Sequence, residues 1–346
     1  MDGQLCPSTL PDKLAKGAKF MPDSIPAKTN EVVWVDADQM SFDNSAPQKL
    51  NRLLDESAAL GNLKEGTRAT LKVNVPEDGY VYGLRPLFIR AMADCANHVT
   101  QKRPVICDGI KLVDYWRQAK GNAFMRVAHE GGYSNDTLGG HLVINGGFSG
   151  DEGNLYSVDC RDSVLGGVKV GTAVCRSESL WVLTHVTLHP LFGLNGALLN
   201  GGFECLVGSE RTRVLRGVNP YPFNGCKSEI SDLRGFGRRA LESHIGVKKS
   251  VSSRIFYVNY IWDPTPQPDY FPYSEGPFVR NIGFFASFDP VALDAATYAV
   301  IQENMVRNGG APGFIQEKTN VDFLNILKEA EDLGLGHNEP ALKHIY

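Results

Sequence analysis

The sequence predicts an α/β fold: a mainly parallel central sheet with helices on both faces, with an arrangement as two intimately joined lobes left open. Three observations carry that expectation. Short apolar runs alternate with longer stretches of helical periodicity from residue 31 to residue 333, the order expected of βαβ units. The runs are apolar almost throughout, as strands covered on both faces must be. With 346 residues, 42% of them hydrophobic and 21% charged, the chain can bury a large core and is neither a disordered segment nor a coiled coil.

Taken in order, residues 1–30 hold Pro and Lys without periodicity and read as an irregular surface arm. Glu31–Asp36 (EVVWVD) is a short strand, and Ser45-Ala46-Pro47 opens a helix with Leu50, Leu53, Leu54 and Leu60 on one stripe. A strand at 69–75, a helix at 86–98 and a strand at 104–108 follow. Next come a helix at 115–129, ended by Gly131-Gly132, and a strand at 142–145. The middle offers strands at 168–174 and 180–186, a glycine-dense stretch at 193–202, a helix at 229–244 and a strand at 254–261. Five prolines make 263–277 a loop. A strand at 282–287 and helices at 291–306 and 321–333 close the pattern. No repeat or compositional break divides 31–346, so one continuous domain is expected.

Bulk properties exclude several partners. Thirty-five basic against 39 acidic residues give a net charge of −4, without the basic face that nucleic acid requires. No apolar run approaches the ~20 residues of a membrane span, and no signal peptide is visible, so a cytoplasmic protein is expected. Seven scattered cysteines without a C-x-x-C pair read as reduced thiols. Phosphate-binding and dinucleotide loops, the H-E-x-x-H zinc pattern and the G-x-S-x-G elbow are absent, so no nucleotide cofactor is expected.

The chemistry concentrates in Thr184-His185-Val186-Thr187-Leu188-His189, followed by glycines and by Asn195, Gly196 and Asn200. The segment leaves the carboxyl end of an apolar strand, where α/β sheets bind ligands. His185 and His189 share a face but would lie ~13 Å apart on a straight strand, so a shared metal ion needs a turn between them. Two ordinary hydrogen-bonding histidines remain the alternative. Asp289-Pro290 reads as a helix N-cap, and that reading leaves Asp294, one turn later on an apolar helix, unexplained. Asn259 on a hydrophobic strand reads equally as a core amide or a pocket group. Asp108 ends a strand, where a turn aspartate is the commoner reading. Glu204 and Cys205 have no visible partner.

At these segments the sequence resembles domain-of-unknown-function family 362, in particular its iron–sulfur-associated branch. The carriers are His185-Val-Thr-Leu-His189, the stretch Gly193-Leu-Asn-Gly196-Ala-Leu-Leu-Asn200, and Ser287-Phe-Asp289-Pro-Val-Ala-Leu-Asp294. Arg85-Pro86, Asp108 and Tyr257-Val-Asn259 are weaker echoes, and the likeness runs from about residue 70 to 302. The family's lysines in the first two motifs are Thr187 and Leu199 here. The cluster-bearing C-D-C element reads Pro268-Asp269-Tyr270, and no ferredoxin insert is present. Thiolates hold iron–sulfur clusters, so no cluster is expected, and the loss of two lysines implies a pocket less suited to anions.

The resulting expectation is a small-molecule enzyme of specialised metabolism, catalysing ring closure, elimination or isomerisation by His/Asp acid–base chemistry. His185, His189, Asp294 and Asp269 are its catalytic candidates. Asp108, Thr187, Asn195, Gly196, Asn200, Asn259 and Asp289 are its substrate-binding candidates. No cofactor is expected. One alternative is a mononuclear metal on His185, His189 and Asp294, giving an oxygenase or hydrolase; another is a non-catalytic scaffold subunit. A homo- or hetero-oligomer is left open.

Overall fold

The computed structural model describes residues 30–38, 40–112, 117–215, 235–251 and 254–346. The expected N-terminal arm and the start of the helix expected at 229–244 lie outside these residues. The strands are β1 Glu31–Asp36, β2 Ala69–Lys72, β3 Val105–Asp108, β4 His141–Ile144, β5 Gly153–Ser157, β6 Gly167–Gly171, β7 Ser179–His185, β8 Thr187–His189, β9 Gly193–Asn195, β10 Phe256–Ile261, β11 Gly283–Ser287 and β12 Ala341–His344. The α-helices are α1 Ala46–Glu56, α2 Pro86–Thr100, α3 Gly121–Glu130, α4 Asn135–Leu138, α5 Thr172–Cys175, α6 Ala197–Asn200, α7 Gly208–Leu215, α8 Phe236–Ser250, α9 Pro290–Arg307, α10 Phe314–Thr319 and α11 Phe323–Asp332.

Eight strands form the main sheet, in the order β12-β1-β11-β10-β7-β2-β3-β4. Only β11 runs against its neighbours, pairing antiparallel with β1 and β10, while the other five pairings among the described residues are parallel. The expected mainly parallel α/β sheet is therefore present. Two small antiparallel pairs, β5–β6 and β8–β9, stand outside it.

Both faces are covered because the central strands carry apolar side chains on both sides. Val33, Leu71, Trp181, Leu183, Val258 and Phe284 pack with Leu50 and Leu53 of α1 and Phe88, Ile89 and Met92 of α2. Their sequence neighbours Val32, Leu180, Val182, Tyr257 and Phe285 point the other way, as the strand period of two demands. There they meet Ala197–Leu199 of α6, Phe236 and Leu241 of α8, and Val291 and Leu293 of α9.

Several boundaries differ from expectation for identifiable reasons. Of the helix expected at 115–129, residues 115 and 116 lie outside the described residues, Arg117–Ala119 form a 3₁₀ turn, and the α-helix runs over Gly121–Glu130. The strand expected through Val174 stops at Gly171, because Thr172–Cys175 turns into a helix. β12 was not expected. It has only four residues, one of them lysine, and gains its place by pairing with β1 from the far end of the chain.

The winding of the sheet positions the site. From β2 the chain moves outward to β3 and β4, then returns to lay β7 on the other side of β2, and continues to β10. Winding reverses between β2 and β7, and the crevice above the carboxyl ends at such a switch point is where α/β sheets bind ligands. β2 ends on Lys72 and β7 on His185.

The packing makes a direct prediction. Leu183, fully buried on the sheet, should lose about 2–5 kcal/mol on Leu183→Ala. Leu155→Ala, on an edge hairpin where the side chain is 75% exposed, should cost under about 0.5 kcal/mol. Urea unfolding monitored by circular dichroism distinguishes the two.

Candidate functional site

Above the switch point the chain gathers polar side chains that are almost completely buried. Lys72 and Lys111 both bind Asp108, each at 3.1 Å and each to a different carboxylate oxygen. Asp108 also accepts the backbone N–H groups of Val75 and Gly109. Burial alone would raise its pKa, but Lys111 and Lys72 hold it down at about 2. Asp108 is thus a fully satisfied counter-ion rather than a free substrate ligand.

Lys72 also donates to the Val73 carbonyl and, at 3.5 Å, to Asn200 Oδ1. Asn200 is a hub: it accepts from Asn74 at 2.8 Å and donates to Asn195 Oδ1 at 2.6 Å and to the Gly196 carbonyl. Asn195 in turn donates to the His185 carbonyl at 3.4 Å. The expected pair Asn195 and Asn200 therefore ties the end of β2 to the end of β7.

His185 and Asp269 are the titratable members with unpartnered acceptors; Asn74 Oδ1 is also buried without a partner. The imidazole Nε2 faces two carbonyls, Trp262 O at 3.0 Å and Asp263 O at 3.3 Å. Carbonyls only accept, so Nε2 carries the proton and Nδ1 presents its lone pair in the neutral ring. That Nδ1 lies 3.9 Å from Asp269 Oδ2, and both side chains are 1% exposed. Nδ1 and both carboxylate oxygens of Asp269 are buried without a hydrogen-bond partner. Burial lowers the His185 pKa to about 4, against the pull of the two carbonyls. Burial likewise raises Asp269 to about 7; Lys111 opposes the rise and Asp108 adds to it. At neutral pH the pair is close to an uncharged imidazole beside a carboxyl group at the midpoint of its titration.

The other expected residues are placed elsewhere. His189 follows a break in the strand at Val186, its Nδ1 accepts the Leu191 N–H, and its ring stacks on Phe236 with Tyr270 at its edge. Thr187 donates to the Leu188 carbonyl in the same β8 strand. Asp294 accepts the N–H groups of Ala197 at 2.7 Å and Leu198 at 2.9 Å, and the Asn259 amide at 2.8 Å. This explains the carboxylate that the N-cap reading left over, because it closes the glycine turn onto α9. A Cβ on Gly196 would lie 2.3 Å from Asp294 Oδ1, so only glycine fits there. Asp289 caps α9 through Val291 and Ala292 and binds His337. It lies at the opposite end of β10 from His185, roughly a strand length away.

His185, His189 and Asp294 thus keep separate partners, and among the described residues no group of three His, Cys, Asp or Glu side chains is placed to hold one metal ion. The mononuclear alternative thus finds no ligand set among the described residues.

Sequence reading missed Lys72, Asn74 and Lys111. The expected loss of positive charge at Thr187 and Leu199 is offset by these two lysines from β2 and from the loop after β3. Glu204, which had no visible partner, is bound by Arg211 at 3.0 Å. Tyr80 was also missed; its ring lies edge-on to His185 at 6.4 Å between centroids.

Asp269 makes stability depend on pH. Its pKa when folded, about 7, lies above the ordinary 3.8, so the native state keeps a proton that the unfolded chain has lost between those values. This contribution is complete below about pH 4 and disappears as pH rises through 7. Asp269→Asn has no such titration, so its stability relative to the parent should rise by a few kcal/mol at most between pH 4 and 8. Thermal unfolding of both proteins at pH 4.5, 6 and 8 tests this; a pH-independent offset would contradict it.

Comparison with known proteins assigns the family. A family model described as Domain of unknown function (DUF362) matches residues 70–299. A crystal structure of a protein from Thermotoga maritima is similar, with a TM-score of 0.43, 13% identity, and coverage of 76% of this chain and 61% of that one. The lactate racemase apoprotein from Thermoanaerobacterium thermosaccharolyticum is similar with a TM-score of 0.43 and 10% identity, over 81% of this chain and 59% of that one. The chain spans about three-fifths of the length of each structure. No protein of curated function matches it. With the family match covering about two-thirds of its length and all of the site described above, the chain belongs to the DUF362 family.

Proposed function

We propose that the chain is a small-molecule enzyme that moves a proton at the His185–Asp269 pair, in an isomerisation, elimination or ring closure. The observation that carries this reading is the carboxylate of Asp269, buried with both oxygens unpaired and 3.9 Å from an unpaired imidazole nitrogen. Leaving such groups unsatisfied costs about 1–3 kcal/mol each, and proteins keep that cost chiefly where a ligand or water completes the bonding.

The two groups divide the work by their environments. A general base acts best with a pKa near the working pH, and Asp269, raised by burial to about 7, meets that condition. His185, lowered by burial to about 4, is the weaker base. Its Nε2–H is held on the Trp262 and Asp263 carbonyls, so Nδ1 is fixed toward Asp269 and can accept or return the proton the carboxyl group releases. Asp269 removes the proton from the substrate, His185 orients and buffers it, and the Lys72–Asp108–Lys111 cluster supplies the field in which negative charge develops.

The test is turnover of small molecules in deuterated water, followed by mass spectrometry on a metabolite extract. The parent chain should incorporate deuterium into, or rearrange, at least one compound. Asp269→Asn and His185→Ala should each slow that change by about 10²–10⁴-fold, with His189→Ala close to the parent. Failure of the parent to alter any compound, or undiminished turnover by both variants, would sink the reading.

A further inference from the structure

The charges around Asp269 balance only while Asp269 is ionised. Lys72 and Lys111 share the single carboxylate of Asp108, and Glu204 is neutralised by Arg211. With a neutral imidazole on His185 and a protonated Asp269, the buried cluster carries one positive charge too many. Uncompensated buried charge is costly and attracts a counter-ion. The ammonium donors show where one would bind. Lys72 is satisfied by Asp108, the Val73 carbonyl and Asn200. Lys111, 7% exposed, uses its ammonium among the described residues only on Asp108 Oδ2, leaving two of three donors unused there. Lys111 is also the cation that acts most strongly on Asp269.

We propose that the ligand of this site is a small monocarboxylate, received by the unused donors of Lys111 with Asp269 at its reacting end. The inference rests on the proton-transfer reading for its location and adds the substrate class. One negative charge balances the cluster, whereas a phosphate monoester, carrying about −1.5 to −2 at neutral pH, would overfill it. A bound carboxylate and ionised Asp269 compete for the same field, so each weakens the other without excluding the complex in which ionised Asp269 acts as the base. The groups facing Asp269 among the described residues are His185 from β7, Lys72 from β2, Lys111 and Asp108 from the end of β3 and its loop, Tyr80, Tyr133, and the Glu204–Arg211 pair. Among these, Asp269 changes charge near neutrality, so carboxylate affinity falls as pH rises past 7, by at most about tenfold per unit.

The test is titration calorimetry of the full chain with acetate and benzoate, with acetamide and benzamide as uncharged shapes and inorganic phosphate as the dianion, at pH 6.0 and 8.5. Carboxylates should bind and amides should not. Lys111→Gln should weaken binding about tenfold or more while Lys111→Arg stays within about threefold, and Asp269→Asn should abolish the pH dependence. Equal binding of amide and acid, tighter binding of phosphate, or unchanged affinity in Lys111→Gln would overturn the proposal. Turnover lost in Asp269→Asn without benzoate binding would reject the carboxylate and keep the proton transfer. Benzoate binding by a chain that alters no compound would do the reverse.

Discussion

Asp294 holds the site together without a cation. Its carboxylate is fully buried and binds two backbone N–H groups of the glycine turn and the amide of Asn259, with no Lys or Arg within 4 Å among the described residues. Burial raises its pKa to about 6 against those hydrogen bonds, so the donors offset much but not all of the desolvation cost. The geometric consequence is larger than the energetic one. α9 is anchored on β10 and β11, and Asp294 fixes the start of α6 to it. Asn200, at the end of α6, is thereby set against Lys72 and Asn74. Without that carboxylate the turn would lose its hydrogen bonds to α9 and keep those to His244 and to the end of β7.

A second buried pair secures the turn from beneath. His244 faces the Leu198 carbonyl with Nδ1, at 3.0 Å, so that nitrogen is protonated and Nε2 accepts from the Tyr257 hydroxyl at 2.7 Å. Gly201 passes so close that a Cβ would meet the Tyr257 ring at 2.6 Å and the His244 ring at 2.8 Å. The glycines at 196 and 201 therefore serve close packing of the turn against side chains. This turn is a rigid floor, and the adaptable chemistry lies above it at His185 and Asp269.

The sheet was legible because each of its central strands carries its own signal: EVVWVD, LWVLTH and FYVNYI are apolar on both faces whatever they pair with. Strand direction carries no such local mark, which is why the reversal of β11 and the distant pairing of β12 with β1 emerged only in three dimensions. Half of the site was legible for the same reason. His185 and Asp294 stand out as polar residues in apolar elements. Lys72 did not, because a lysine in a short strand reads as a solvated position until its partner Asp108 is brought to it from the next strand. Lys111 is likewise ordinary in sequence, and its meaning depends on sharing that carboxylate. Asp269 sits in a proline-rich loop without periodicity, and only the family resemblance singled it out.

The case for Asp269 rests on comparison within the molecule. Asp108 has two lysines and two backbone amides, and Asp294 has three N–H donors. Glu242 collects Ser163, Val164, Leu165 and Arg238, Asp289 caps α9 and binds His337, and Glu77 accepts the N–H groups of Asp78 and Gln118. The fold thus satisfies every other buried carboxylate discussed here, by cations, amides or hydroxyls, and Asp269 alone among the described carboxylates has both oxygens buried and unpartnered. A structural role would have recruited donors, as Asp108 and Asp294 recruit backbone amides. An unmet acceptor beside an unmet imidazole, at the point where the sheet reverses its winding, is what a site looks like before its ligand supplies the missing bonds.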